Sequence, residues 1–246
     1  MKSNDSYLST LNPAGKLFFH LLVMCILMTV SNPKPTFFIW LLAVMTGIVF
    51  GGWTAAYLAK RLLPYLLFFV LVCWMMAAFG KGEETLWQWA WFHVTKESLG
   101  NGLTIALRML GFVTYGLLFT STTDLTSFIM SLIHQCRLSP KWAYGLLAGF
   151  RFVPLFQSEL SQMKAAHKIR GYKQKNSWKA FIAYSLPLFS QGIRKSERIA
   201  VAMEARGFTG TRDRTYYQTP RLGAKDALYG TVLLLAVLAI LIVFSK

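Results

Sequence analysis

The sequence predicts an all-α integral membrane protein, with about five transmembrane helices and a cytoplasmic region of amphipathic helices. Three observations carry this. Of the 246 residues, 54% are hydrophobic, and they gather in runs close to the roughly 20 residues a helix needs to cross a bilayer. The formal charge is +16, far from the balance of an ordinary soluble domain. The charge is also clustered: residues 151–226 hold fifteen of the 26 Lys and Arg but only five of the ten acids. Lys and Arg beside apolar segments mark a cytoplasmic face, and they attract anionic headgroups. No nucleic-acid motif accompanies them, and the aromatics sit mostly in the apolar runs, which argues against nucleic acid as a partner.

The first sixteen residues, "MKSNDSYLSTLNPAGK", are polar for too long to form a secretory signal, and no small-residue cleavage site follows. Residues 17–30 are apolar, Pro33 and Pro35 interrupt, and a second apolar run covers 36–57. The short break predicts a helical hairpin. Lys60 and Arg61 then mark a cytoplasmic turn, and residues 62–79 cross again. The stretch "GKGEETLWQWAWFHVTKESLG" places Trp87, Trp89 and Trp91 together, as expected at the outer headgroup level. Residues 103–120 make a fourth crossing containing Arg108, which must face protein or snorkel. The fifth is 227–244. Counted from a cytoplasmic N-terminus, five crossings keep Lys60, Arg61 and residues 137–225 inside and put Lys246 outside. The domains are then a four-helix transmembrane region over 1–121, a cytoplasmic-facing helical region over 122–225, and a C-terminal transmembrane helix over 226–246.

Ser121 to Asp124 offers N-cap side chains for the helix "DLTSFIMSLIHQCR". Leu125, Phe128, Ile129, Leu132, Ile133 and Cys136 recur at helical spacing as one apolar stripe. At this length the helix cannot span, so it is expected along a surface, its stripe against membrane or partner and the polar Ser131 toward water.

The basic region carries an imperfect repeat. "VPLFQS" precedes "KIRGY", and "LPLFSQ" precedes "AMEARGF". Each unit runs from an apolar half kinked at a proline, Pro154 or Pro187, through a polar half to Arg-Gly-aromatic. In the second, Arg194, Arg198, Ala202 and Arg206 lie four apart on one face, and Gly207 suits the left-handed residue that closes a helix. A lone Arg206 would be accounted for as a cation near the negative end of the helix dipole. Two such ends, each after the same lead-in, suit docking: a planar, five-donor guanidinium on a rigid tip fits carboxylates or helix C-termini of a partner.

Catalytic chemistry finds no support. There is no phosphate-binding G-x-x-x-x-G-K-[ST] loop, no H-E-x-x-H and no G-x-S-x-G. His20, His93, His134 and His167 are scattered and read as structural or interfacial. Cys25, Cys73 and Cys136 make neither a disulfide framework nor a zinc site. No catalytic, cofactor or metal residues are expected.

The segment "LLFTSTTDLTSFIMSLIHQCRLSP", then "RFVPLF", then "LPLFSQGIRKSERIAVAMEARGF", resembles the transmembrane T component of energy-coupling factor (ECF) transporters, in order over residues 117–208. The resemblance implies a non-catalytic scaffold of an ABC-type importer in the cell's inner or plasma membrane. It implies coupling helices whose Ala-Arg-Gly ends dock into two ABC-type ATPases, identical or different, and a separate membrane S component that binds substrate. A vitamin or its precursor is implied ahead of cobalt or nickel. Carried onto this chain, Ala205, Arg206 and Gly207 form one docking motif. Ile169, Arg170 and Gly171 form the other, with Ile where the family has Ala. Glu204, Phe208, Arg198 and Tyr172 would support these surfaces, and Leu125, Phe128, Ile129, Leu132 and Ile133 would pack on the S component or membrane. Two other readings of the residues stand beside this one: a self-contained channel or secondary transporter, hinted at by Arg108, Arg151 and the two prolines, and a lipid-binding membrane anchor.

Overall fold

A computed structural model describes residues 6–79, 85–89, 92–171, 177–212 and 215–244. After a 3-10 turn at Tyr7–Thr10, the described chain forms helices α1 (Pro13–Thr29), α2 (Pro33–Val49) and α3 (Ala55–Phe79), and strands β1 (Thr85–Trp89) and β2 (Phe92–Thr95). Then come α4 (Lys96–Thr122), α5 (Leu125–Gln135), α6 (Pro140–Ile169), α7 (Ser177–Ala205) and α8 (Ala224–Phe244). Two compact units result: residues 1–131 with 220–246, and residues 132–219. The boundary therefore falls inside α5, later than the division expected at 121/122.

Local chemistry explains most helix starts. Asn12 accepts from the Ala14 amide at 3.1 Å with Pro13 behind it, and Pro33 and Pro140 likewise occupy first helical positions, where a missing N–H costs nothing. Thr95 and Ser98 form a reciprocal capping box on α4. Asp124 accepts from the Ser127 amide at 3.1 Å, so the cap expected before α5 is present.

In the first unit α4 packs against α1, α2 and α3, and α8 packs on α1 and α2. Leu27, Ile39, Tyr115, Leu118 and Val237 are among the fully enclosed side chains. Lipid is as apolar as leucine, so this core is held by close packing and interhelical hydrogen bonds more than by escape from water. Gly102 of α4 sits where a Cβ would come within 3.1 Å of the Cys73 carbonyl of α3, and Gly230 of α8 faces the Phe19 ring of α1 so closely that no side chain fits. Trp40 and Trp53 donate their indole N–H groups to Thr114 and Ser121 of α4 at 3.1 and 2.9 Å. Arg108, expected to avoid lipid, donates to the Val30 carbonyl at the end of α1 at 2.7 Å.

The fold is the helical membrane architecture expected, with three differences in detail. Among the described residues, three helices, α3, α4 and α8, are long and apolar enough to cross a membrane, whereas α1 and α2 are shorter, at 17 residues each, or about 26 Å. Lys60 and Arg61 lie inside α3 and not in a turn. The turn comes earlier, at 50–54, where Gly52 takes φ +66°; within α3, Arg61 rests over the Tyr57 ring. Thr85–Trp89 and Phe92–Thr95 pair as antiparallel strands, because "TLWQW" and "FHVT" are rich in strand-favouring aromatic and β-branched residues. The headgroup-level placement expected of Trp87, Trp89 and Trp91 lies outside the described residues and side chains.

Candidate functional site: two Arg-Gly helix ends

The second unit is built on α6 and α7, helices of 30 and 29 residues that run unbroken through Pro154 and Pro187. The proline-containing half and the polar half of each repeat are therefore one continuous rod. Phe156 lies against Gly192, where a Cβ would approach its ring to 2.9 Å. Glu159 pairs with Lys195, and the His167 and Tyr184 rings sit 5.0 Å apart. The end of α6 thus lies beside the first part of α7, and the two run in opposite senses.

Both helices stop in the same way. Gly207 has φ +81°, its amide donates to Glu204 O at 2.9 Å, and the Phe208 amide donates to Met203 O at 2.9 Å. These two bonds make a complete Schellman closure. Gly171 has φ +72°, and its amide donates to Lys168 O at 3.2 Å, the equivalent inner bond. Tyr172, which would supply the outer one, lies outside the described residues. A left-handed residue here suits glycine alone among unstrained choices. The glycine stops the rod, and the arginine before it sits immediately after the last helical residue.

Arg170, Arg206, Glu204, Ala205 and Arg198 are all exposed, and Ile169 is 86% exposed. Phe208 is half-buried, its ring edge-on to Tyr144 near the start of α6. The chain after α7 continues along the same region: Gly210 packs on Lys141, Arg212 donates to the Arg137 carbonyl, and Tyr216 meets His134 at 4.8 Å. The two Arg-Gly ends consequently occupy opposite ends of the α6–α7 pair. Tyr184, level with the first end, is 22 residues before Arg206, so the ends are separated by roughly 30 Å at 1.5 Å per residue. Two separate contacts can form there, and a single small groove cannot receive both.

The α5 stripe is divided. Ile129 and Ile133 are buried within the chain at 2% and 5% exposure, and Met130 and Ser131 are buried with them. Ser131, a polar position expected to face water, is enclosed because its hydroxyl donates to the Phe128 carbonyl one turn back, at 2.7 Å. That leaves Leu125, Phe128 and Leu132 accessible, while Ile129 and Ile133 belong to the protein's own packing and cannot face a partner. A larger free apolar surface lies on the apolar halves of the two repeats, whose exposure was not specified from sequence: Trp142, Leu146, Phe150 and Val153 on α6, and Ile182, Leu186, Phe189 and Ile193 on α7, all exposed. Their spacing of three and four was the available signal.

Among the described side chains, the histidines do not converge. His20 bonds the Tyr229 hydroxyl at 3.0 Å, while His134 and His167 contact the tyrosines already named.

A protein-family model, CbiQ, described as cobalt transport protein, matches residues 4–217. A curated protein of Streptococcus thermophilus, the energy-coupling factor transporter transmembrane protein EcfT, is 27% identical over 262 residues, covering 98% of this chain and 95% of that protein. The EcfT of Staphylococcus aureus is 27% identical over 94% of this chain and 90% of its own length. That of Lacticaseibacillus paracasei is 26% identical over 90% and 88%.

Proposed function

From the premise that the chain belongs to the CbiQ family and is the transmembrane T component of an energy-coupling factor transporter, we propose that its two Arg-Gly helix ends dock two ABC-type ATPase subunits. Through them, movement driven by ATP reaches a separate S component that binds the substrate. One observation carries the reading: two long rods are closed by the same Arg-Gly geometry, with exposed guanidinium groups, at opposite ends of one antiparallel pair. Helix-dipole compensation accounts for an arginine at each end, but not for matching ends on rods that each also bear an apolar stripe.

The exposed apolar residues of the first halves of α6 and α7 suit a membrane-embedded partner, and we assign that surface to the S component, with Leu125, Phe128 and Leu132 beside it. The N-terminus and the helix ends face the cytoplasm, on the side of the Lys and Arg excess. The cargo is a vitamin or its precursor ahead of cobalt or nickel: the curated relatives carry the energy-coupling-factor name and not a metal's, although the family description says cobalt. Selectivity resides in the S component.

Co-purification tests this. The chain co-expressed with energy-coupling-factor ATPases and an S component from its own organism is expected to bring both down. The double variant Arg170→Ala/Arg206→Ala should insert in the membrane but lose the ATPases. Full ATPase recovery by that variant would refute the docking role.

A further inference from the structure

The second unit is inserted into the first: the chain leaves within α5, after Ser131, and returns at Pro220, just ahead of α8. The two elements that flank the insertion, the end of α4 and the start of α8, are both tied to the same few residues at the start of α1. Lys16 is 2% exposed, and its ammonium group has three acceptors: the Leu8 carbonyl at 2.7 Å, and the carbonyl and hydroxyl of Thr122, each at 3.0 Å. Thr122 is the last residue of α4. Four residues before Lys16, the Asn12 amide donates to Asp226 Oδ1 at 2.7 Å, and the other carboxylate oxygen accepts from the Gly223 amide at 2.8 Å. Asp226 lies in the first turn of α8 and is 8% exposed.

A buried lysine and a buried aspartate are expensive features for an apolar unit. Packing alone would be served as well by leucine, because such charges add little net stability over apolar residues of the same size. What they do add is geometry. An ammonium with three fixed acceptors, and a carboxylate with two fixed donors, each hold a chain end in one place.

We propose that Lys16 is a positioning residue for energy coupling. With the Asn12–Asp226 bond, it clamps the end of α4 and the start of α8, which lead into and out of the inserted unit, to the start of α1. Movement of α6 and α7 is then delivered to the membrane helices, where slack connections would absorb it. The coupling role rests on the ATPase-docking reading, whereas the clamp itself is a property of the chain alone.

The test uses the full chain in lipid nanodiscs, with Cys25, Cys73 and Cys136 replaced and spin labels at Val201 of α7 and Val232 of α8. Lys16→Met is expected to broaden the distance distribution between the labels about twofold, as local anchoring is lost. Thr122→Val removes one of the three acceptors at unchanged volume and should broaden it less, while Thr122→Ser should leave it as in the wild type. If Lys16→Met does not fold, Thr122→Val decides. A folded Lys16→Met or Thr122→Val chain with the wild-type width overturns the clamp.

In the complex, ATP should shift the wild-type distance, and Lys16→Met should abolish the shift at equal ATPase recovery. A shift retained in that variant overturns the coupling role. Should the wild-type chain recruit no ATPase, the docking reading fails, and the width measurement still decides the clamp.

Discussion

Phe208 and Tyr144 meet edge to face with ring centroids 5.4 Å apart, so the residue that completes the closure of α7 also fastens that end to the beginning of α6. The second Arg-Gly end is therefore held from both sides: by the Schellman bonds behind it and by the aromatic contact beyond it. Such a ring pair contributes about 0.5–1.5 kcal/mol beyond its area. Phe208→Ala should loosen the tip without unfolding the rod. Hydrogen exchange is expected to quicken at the Gly207 and Phe208 amides, with exchange in the middle of α7 unchanged and ATPase affinity lowered severalfold. Protection as in the wild type would show that the backbone closure alone holds the tip.

Arg137 is the one non-glycine residue with positive φ among those described, at 54°. It follows α5, where the Leu138 amide turns back to the Leu132 carbonyl, and its own carbonyl accepts from Arg212. For a residue with a Cβ, the left-handed region costs roughly 1–2 kcal/mol. Arg137→Gly removes that cost and keeps the carbonyl. Part of the gain is offset by the greater freedom of glycine in the unfolded chain. A net stabilisation of about 0.5–1 kcal/mol is expected, read as slower proteolysis between α5 and α6. Faster proteolysis would mean that the arginine side chain itself holds the connection.

Most of this architecture was legible from residue order, and the misses have physical causes. The runs ending near Phe79, Thr122 and Phe244 announced α3, α4 and α8, and the Arg-Gly pairs announced the ends of α6 and α7. Pro154 and Pro187 read as kinks, yet the helices continue through them. Lys60 and Arg61 read as a turn because charge is expensive in lipid, but near a helix end the side chain can reach water while its backbone stays helical. Ser131 read as outward-facing because sequence cannot show that a hydroxyl will satisfy itself on its own helix. The separation of the two arginine ends was the least accessible fact. It follows from the antiparallel pairing of α6 and α7, which is set by contacts such as Phe156 with Gly192, between residues with no local signal.

The buried part of α5 leads to a contrast between two residues of one stripe. Ile129 is 2% exposed and Leu125 is 37% exposed. An unpaired carboxylate at Ile129 costs several kcal/mol, so Ile129→Asp should reduce the amount of folded protein whether or not partners are present. Leu125→Asp should fold nearly as the wild type, since exposed changes stay within about 0.5 kcal/mol, but it should lower S-component recovery. Equal folded yields for the two variants would contradict the burial of Ile129.

Orientation is checked by labelling. With the three native cysteines replaced, single cysteines at Lys168 and Thr215 should react with an impermeant maleimide only after the cytoplasmic side is opened. One at Glu97, before the apolar part of α4, should react from outside in intact cells. The expectation follows from the Lys and Arg excess beside α6 and α7. Labelling of Lys168 from outside would invert the topology and remove the helix ends from any cytoplasmic ATPase.

The two arginines should not be equivalent. Arg206 follows Ala205, the small residue that lets a helix end approach a groove closely, whereas Arg170 follows Ile169, whose side chain stands 86% exposed. Arg206→Ala should therefore cost more ATPase affinity than Arg170→Ala. Truncating one partner of a desolvated charge pair typically costs about 2–5 kcal/mol, so more than a tenfold loss is expected at Arg206. Arg206→Lys should rescue only in part, since an ammonium keeps the charge but lacks the planar fork. Because the ends lie roughly 30 Å apart by the rise of the helix, each would engage its own ATPase subunit of a joined pair. The first contact then raises the effective concentration of the second, and the double variant should lose far more than either single one. If the arginines only compensate helix dipoles, each would be worth about 0.3–1 kcal/mol of helix stability, and ATPase titrations of the single and double variants would superimpose on the wild type.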